Sequence, residues 1–518
     1  MRKRIALLLV LALLLSGCAV EDSPYVPTGD ALDEDQIQLP TQAQPNVALA
    51  LAYYPGRSMN PYACTDFTNR IVLSLMYQGL FTADRDYQVS PVLCGRYMMS
   101  RDMRTYIFYV NSAAAYSDGT SVTGADVTAS LLAAKESAYY SGRFNHVVSV
   151  KTLDDGGVEV VLNTPNENFP ILLDVPIVKA SQVEADNPLG SGPYVLEDTV
   201  SGRWLRRQNH WWCKSTDMIT DAAYIPLTAV ETVVKARDAF EAQDVSLVCT
   251  DPGNPSYADF RCDYELWDCE SGSFLYLSAN PEGELFSNAA VRNALTHAIN
   301  REYLVDTFYR GFAQEAMLPA SPSSPYYNQK LASQYGYDKE AFAKAVEDAG
   351  LVGTEILLLL NSDDGTRLRV GREIERMLEE AGIVVQLMEL NHEQFMIHVE
   401  WYQYDLYLGQ AKLSPNMDLS EFFATEGAMN YNNMSDPAMY ALSLEALAND
   451  GNYYTLHKTV MEDGRLCPIL FRDYAIYTQR GMFSQLSAPR DNLFQYTIGV
   501  TMEEILADMP VTEQSPKS

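Results

Sequence analysis

Apolar positions along this chain follow two regimes that change near residue 270. Before that point, short alternating runs are separated by turn residues. The run 105–110, Thr-Tyr-Ile-Phe-Tyr-Val, is aromatic and β-branched and predicts a strand, as does 158–162. Asp118-Gly119 marks a turn. Thr123 then caps a helix, with Asp126 placed to reach back and Val127, Leu131 and Leu132 supplying its buried face. Gly190-Ser191-Gly192-Pro193-Tyr194 punctuates the chain before a fresh strand and marks a crossing between domains. In the second regime, 288–309 predicts one long amphipathic helix, with Val291, Leu295, Ile299 and Phe308 on one face and Gly311 beyond its end. Helices over 338–349 and 368–380, stopped by Gly350 and Gly382, alternate with strands over 356–360 and 383–390. Strand, helix, strand at this spacing is a βαβ unit, which implies an α/β lobe with parallel pairing.

One apolar run belongs to neither regime. Met1-Arg2-Lys3-Arg4 is followed by an unbroken apolar stretch over 5–15 and then by Leu15-Ser16-Gly17-Cys18. A basic head, a short apolar core and small residues make a secretory signal. The run is shorter than the roughly 20 residues that a membrane span needs. The junction resembles the lipobox of bacterial lipoproteins, in which the cysteine matching Cys18 takes a diacylglycerol on its sulfur and becomes the mature N-terminus. That resemblance implies a lipid anchor on the extracytoplasmic face of a bacterial cell membrane. Residues 19–45 are rich in Asp, Glu, Pro, Gln and Thr and predict a flexible stalk.

Composition narrows the partners. The 518 residues suffice for two or three domains, and a 47% hydrophobic content supports a sizeable core. A formal charge of −31 argues against nucleic acid, whose phosphates need clustered Lys and Arg, and favours cationic or zwitterionic ligands. Of eight cysteines, committing Cys18 to lipid leaves an odd number with no Cys-x-x-Cys spacing. Most read as buried free thiols, with Cys262 and Cys269 a candidate local bridge.

Candidate chemistry is sparse. His392-Glu393 begins like a zinc-protease helix, but the next histidine is His398, about 240° round a helix from the first and off its face. The chain has no Gly-x-Ser-x-Gly elbow and no Gly-Lys-Ser or Gly-Lys-Thr phosphate loop. No catalytic constellation, metal site or cofactor site is predicted, so the chain reads as a binding protein and not an enzyme.

Several blocks, in order, resemble the extracellular solute-binding proteins of ABC importers, the group that includes oligopeptide-, dipeptide- and nickel-binding proteins. They are Asn60-Pro61; Met76-Tyr77-Gln78-Gly79-Leu80; Ser117-Asp118-Gly119-Thr120 with Thr123, Asp126 and Val127; Gly190-Ser191-Gly192-Pro193-Tyr194; Asn209-His210-Trp211-Trp212; and Val291-Arg292-Asn293-Ala294 with Ala298-Ile299-Asn300-Arg301. Most of these read as architectural. The resemblance implies an α/β, two-lobed periplasmic-binding-protein-like fold with a hinge between the lobes and a small domain inserted in lobe I. By analogy lobe I is 46–60, 186–270 and 490–518, the insertion is 61–185, and lobe II is 271–489. It also implies a monomer that captures a small solute, a peptide in the first instance, and delivers it to an ABC permease and its ATPase. The same scaffold serves metal chelates, opine-like metabolites or sugars, and a degenerate copy would serve in surface signalling or adhesion.

The resemblance includes one departure. In the family's peptide binders a segment beginning with Asp ends in Gly-Trp-x-x-Asp, whose last carboxylate pairs with the peptide's amino terminus. Counted from Asp405 without gaps, the tryptophan falls on Ala411 and the carboxylate on Ser414, with Lys412 adding a positive charge. A charge-assisted bond of that kind contributes about 1.5–3 kcal/mol. Asp418 is a candidate substitute, and Lys412 is a candidate for a ligand carboxylate. Tyrosines crowd the region at 402, 404, 407 and 431, amphipathic surface suited to a mixed ligand. The expected ligand-binding set is therefore Tyr407, Gln410, Ala411, Lys412, Ser414, Asp418 and Tyr431.

Overall fold

Strands Glu355–Asn361 and Val384–Leu390 pair in parallel, and helix Gly365–Glu379 connects them, so the expected βαβ unit is present. Asp364 starts that helix by accepting hydrogen bonds from the backbone N–H groups of Thr366 and Arg367. The computed structural model describes residues 49–200, 202–213, 222–250, 260–431, 434–484, 486, 490, 492–494 and 502–508. The signal, Cys18 and the 19–45 stalk lie outside the described residues. Among those described, no helix is long and apolar enough to cross a membrane.

The βαβ unit is one end of an 11-stranded sheet. Its order runs Val384–Leu390, Glu355–Asn361, Leu406–Lys412, Tyr264–Ala279, Leu466–Gln479, Leu247–Thr250, Leu51–Tyr53, Tyr224–Ala229, Gly202–Arg207 and Tyr194–Thr199, with Ala313–Glu315 paired off this path to Leu466–Gln479. Two long antiparallel strands, Tyr264–Ala279 and Leu466–Gln479, join its halves. Their register shifts between Glu270 and Ser273, a β-bulge that contains Gly272 at φ 68°. Only glycine holds that backbone conformation without strain.

Alternation along the strands builds two cores. Leu275, Leu277, Leu406 and Leu408 enter one, against the helices of the βαβ region. Phe274, Tyr276 and Tyr407 point the other way, into the core shared with residues before 180. That earlier region has its own five-stranded sheet, ordered Leu506–Asp508, Cys94–Met99, Thr105–Val110, Val158–Leu162 and Val147–Thr152. Helix Gly124–Lys135 packs beside it and carries the full capping box between Thr123 and Asp126. Val127 and Leu131 are buried as expected, but Leu132 is 46% exposed, one position round the helix from that face.

Two further expectations are corrected. The helix predicted over 288–309 is two helices, Ala289–Ala298 and Arg301–Tyr309, because Ile299 is extended and Asn300 caps the second by accepting from Tyr303 N–H. The side chain of Arg301 fills the break. Fully buried, it donates to the carbonyls of Thr296, Ile299, Ala316 and Pro468, so the ends freed by the interruption are satisfied. Cys262 and Cys269 form no disulfide, nor does any of the seven described cysteines, because Cys269 lies within the extended strand Tyr264–Ala279, several residues along it from Cys262.

Three of the blocks carrying the family resemblance meet in space. Gly192 and Tyr194 donate backbone hydrogen bonds to Met76 and Leu75, and the Trp212 indole donates to Gln78 Oε1 at 2.8 Å. Arg292 donates to the carbonyls of Phe286, Ser287 and Asp463.

Candidate functional site

Strand Leu406–Lys412 pairs antiparallel with Tyr264–Ala279 over seven register partners, from Leu406 with Ala279 to Lys412 with Ser273. At its end the chain leaves the sheet and enters the loop 413–419. A cavity of about 250 Å³ opens there. One wall is Gln410, Ala411, Lys412 and Ser414; the facing wall is Ser141, Gly142 and Asn145, on and after the short 3-10 turn Ser141–Arg143. Tyr276 forms part of the lining, and Asp418, Glu421, Ala428, Met429 and Tyr431 complete it.

The structure brings six of the seven expected residues together and sets one apart. Tyr407 does not line the cavity. It is 1% exposed and meets Tyr276, Phe395, Tyr404 and Tyr431 edge-on. The reason is depth along the strand. Tyr276 lies opposite Gly409, where a Cβ would come within 2.4 Å of its ring, and the ring occupies the space left by the missing side chain. Tyr407, two residues further into the sheet, is packed behind it. Burial pushes the Tyr276 hydroxyl well above its ordinary pKa and that of Tyr407 to about 12, so both stay neutral.

The polar residues of the wall are already oriented by neighbours. Gln410 Oε1 accepts from Arg472 Nη1 at 2.9 Å, and the same guanidinium pairs with Asp364 Oδ2 at 2.9 Å. Ser414 Oγ donates to Asn416 Oδ1 at 2.7 Å. The Lys412 ammonium lies 3.8 Å from the centroid of Tyr139, whose ring also carries Arg70 at 3.4 Å. Each of these cation–ring contacts contributes about 0.5–2 kcal/mol.

Asp418, the candidate for the missing carboxylate, is committed elsewhere. His146 Nε2 lies 3.0 Å from its Oδ2, and Ser420 N–H donates to Oδ1 at 2.8 Å. His146 Nδ1 meets Asn163 Oδ1 at 3.1 Å, so both ring nitrogens face acceptors and the imidazolium form is favoured. Burial pushes the His146 pKa down, but the bond to Asp418 and its charge outweigh this and raise it. Burial likewise pushes Asp418 up, and His146 outweighs it and holds the carboxyl below its ordinary range. A buried ion pair thus bridges the two walls.

The facing turn has its own anchors. Arg143 is ion-paired with Asp174, and Tyr140 Oη lies 2.6 Å from Arg70 Nη2, around a separate void of about 60 Å³. Sequence reasoning missed this wall, together with His146, Tyr276 and Glu421. His146 and Asp418 are 272 residues apart, and no local pattern links them. Tyr276 opposite Gly409 had a signal, an aromatic facing a glycine across a strand pair, but it needs the register. Among the described residues, no group of three His, Cys, Asp or Glu is placed to hold a metal ion.

Residues 88–430 match the family described as bacterial extracellular solute-binding proteins, family 5 middle. The glutathione-binding protein GsiB of Escherichia coli O1:K1 is 24% identical over 358 residues, covering 66% of this chain and 69% of that protein. Among solved structures, the ABC transporter substrate-binding protein CtaP of Listeria monocytogenes superposes with a TM-score of 0.69 at 17% identity, covering 86% of this chain and 97% of the other. NikZ of Campylobacter jejuni, in complex with Ni(L-His), gives 0.62 at 17% identity, covering 86% and 96%. Both share the α/β architecture of two-lobed binding proteins, and the matched region includes the cavity walls at 141–145 and 410–421. The chain belongs to the bacterial extracellular solute-binding proteins, family 5.

Proposed function

We propose that this protein is the solute receptor of an ABC importer and that it takes a small peptide-like solute into the cavity between Leu406–Lys412 and Ser141–Arg143. The observation that carries this reading is the cavity itself. It is lined by a few oriented polar groups and by aromatic faces, it lies where two walls from distant parts of the chain meet, and an ion pair and a cation–ring contact bridge those walls. A peptide-like ligand agrees with the relative named for glutathione binding. Ser414, in place of the expected carboxylate, favours a second reading in which the solute is a metal chelate, an opine-like metabolite or a sugar.

In this proposal the lobes are 46–60 with 186–270 and 490–518, and 271–489, and the small domain is 61–185. They separate to admit solute and close by hinge motion. Cys18 carries the lipid anchor on the extracytoplasmic face, the receptor acts as a monomer, and a permease with its ATPase receives the closed form. The protein performs no chemistry; its work is selective capture.

Native mass spectrometry of protein purified without denaturation identifies a retained solute. Ala411→Trp fills the cavity and is expected to abolish that retention while the far-ultraviolet circular dichroism stays unchanged. A solute retained equally by both proteins places the binding site elsewhere. A retained chelate or sugar selects the second reading.

A further inference from the structure

Where strands Tyr264–Ala279 and Leu466–Gln479 join the halves of the large sheet, two acids face each other. Glu270 and Asp473 are register partners in the last pair before the bulge, so their side chains share one face of the ribbon. Both are buried, at 4% and 6% exposure. Asp268 lies two residues along the same strand, on the same face. Like charges directly opposite each other destabilise a strand pair, and burial makes two ionised carboxylates harder still to hold.

The surroundings serve these acids unequally. Both Glu270 oxygens accept a hydrogen bond, from Tyr87 Oη at 2.9 Å and from Gln314 Nε2 at 3.1 Å. Asp268 is ion-paired with Arg85, on the same loop as Tyr87. Asp473 Oδ1, by contrast, is buried with no hydrogen-bond partner among the described residues. No group of three His, Cys, Asp or Glu among those residues is placed to hold a metal ion, and the cation that such a pair accommodates is a proton. A proton removes one charge and turns the Asp473 carboxyl into a donor, with Glu270 lone pairs opposite it. Burial, then the charges of Glu270 and Asp268, push Asp473 up to about 7, while Gln314 and Arg85 pull the other way. Burial pushes the Tyr87 hydroxyl up to about 12 against the pull of Arg490, so Tyr87 donates to Glu270 whether or not Asp473 is ionised.

We propose that Glu270 and Asp473 form a proton-sensitive joint between the halves of the sheet: one shared proton ties the two strands beside the bulge, and its loss to water sets two buried carboxylates against each other and loosens them. The joint is stiffer in acid and softer above neutral pH. For a solute receptor the consequence is tighter holding in acid and faster exchange above neutrality. That consequence rests on the receptor reading; the joint itself does not.

The test follows the carboxyl and the strands separately, on the full chain. Carbon-13 NMR, with the Asp473 carboxyl assigned through its own backbone amide, is expected to show titration at about 7. A midpoint at the ordinary value of about 4 overturns the proposal. Glu270→Gln is expected to lower the Asp473 midpoint, and an unmoved midpoint overturns the pairing. Asp473→Asn cannot ionise, so from about pH 5 to about pH 8 its folding equilibrium constant in urea should gain about tenfold to hundredfold on that of the wild type. Amide hydrogen exchange over 270–275, compared at equal pH, should be faster in the wild type than in Asp473→Asn at the higher pH and alike at the lower. Equal exchange at both overturns the joint even where the carboxyl titrates as expected. The wild-type titration decides the matter where a variant does not fold.

Discussion

Strand Leu406–Lys412 reaches the cavity fixed by seven register partners on Tyr264–Ala279, whereas the facing turn Ser141–Arg143 meets it through side chains: His146 on Asp418 and Tyr139 under Lys412. A backbone ladder distributes its strength over many bonds and changes little when one side chain is removed. A wall held by a pair of side-chain contacts can part when those contacts break. The ladder-held wall therefore keeps its shape, and the side-chain contacts set how firmly the two walls stay together. The sharing of work is physical: main-chain bonds resist shear along the sheet, while an ion pair across a gap resists only separation.

The largest expected effect comes from breaking the bridge. His146→Ala leaves Asp418 charged and buried without its partner, and loss of one member of such a pair costs about 3–5 kcal/mol. Urea denaturation followed by tryptophan fluorescence measures it; a change under about 1 kcal/mol would show that water already stabilises Asp418. The next effect strikes the rigid wall. Gly409→Ala drives a methyl into the fully buried Tyr276 ring and is expected to cost about 1–3 kcal/mol, read as a lowered denaturation midpoint.

A smaller effect appears on changing pH. The His146 pKa is raised, so its contribution is complete below its ordinary value of about 6.5 and is lost as pH rises through the raised value. Burial and the charges of Glu270 and Asp268 push Asp473 up to about 7, so its ionisation lowers stability as pH rises between about 4 and 7. Asp418, held low by His146, contributes at neutral pH, and that contribution fades as pH falls through its lowered pKa. Stability is therefore expected to decline from pH 6 to pH 8, and His146→Ala should flatten that limb; an unchanged slope would remove His146 from the account. The smallest effect belongs to Lys412→Met, which removes a ring contact contributing about 0.5–1 kcal/mol and should leave the rigid wall untouched, as hydrogen exchange in Leu406–Lys412 would report.

The same contrast explains what could be read from the amino acids. The βαβ unit, the Thr123 cap and the strand Thr105–Val110 depend on neighbours within a few residues, and each is present at nearly its expected bounds. The wall containing Gln410, Ala411, Lys412 and Ser414 was legible because one continuous segment supplies it. The break at Ile299–Asn300 was not, because it depends on Arg301 finding carbonyls at Ala316 and Pro468. Periodicity favoured an unbroken helix, and a tertiary contact overrode it. Tyr407 was misplaced for a related reason: composition marks an amphipathic side chain, but the register with Tyr264–Ala279 decides that Tyr276 stands in front of it. Glu421 had no signal at all until its loop folded back.

The bulge at Gly272 has a mechanical consequence. The paired strands Tyr264–Ala279 and Leu466–Gln479 form a ribbon whose hydrogen-bonded ladder is interrupted between Glu270 and Ser273 and again between Leu275 and Tyr276, and the first interruption contains a glycine at positive φ. Such a ribbon is a torsion bar whose softest section is the one at Gly272. Twist applied at either end concentrates there, where glycine has the widest range of dihedral angles to absorb it. The ease of rotation between the two halves of the sheet is then governed by a residue outside the lining of the cavity. A side chain introduced at 272 would meet the Arg490 guanidinium within 2.2 Å and stiffen the joint, and because that guanidinium donates to the Leu413 carbonyl, between Lys412 and Ser414, the strain would reach the edge of the cavity.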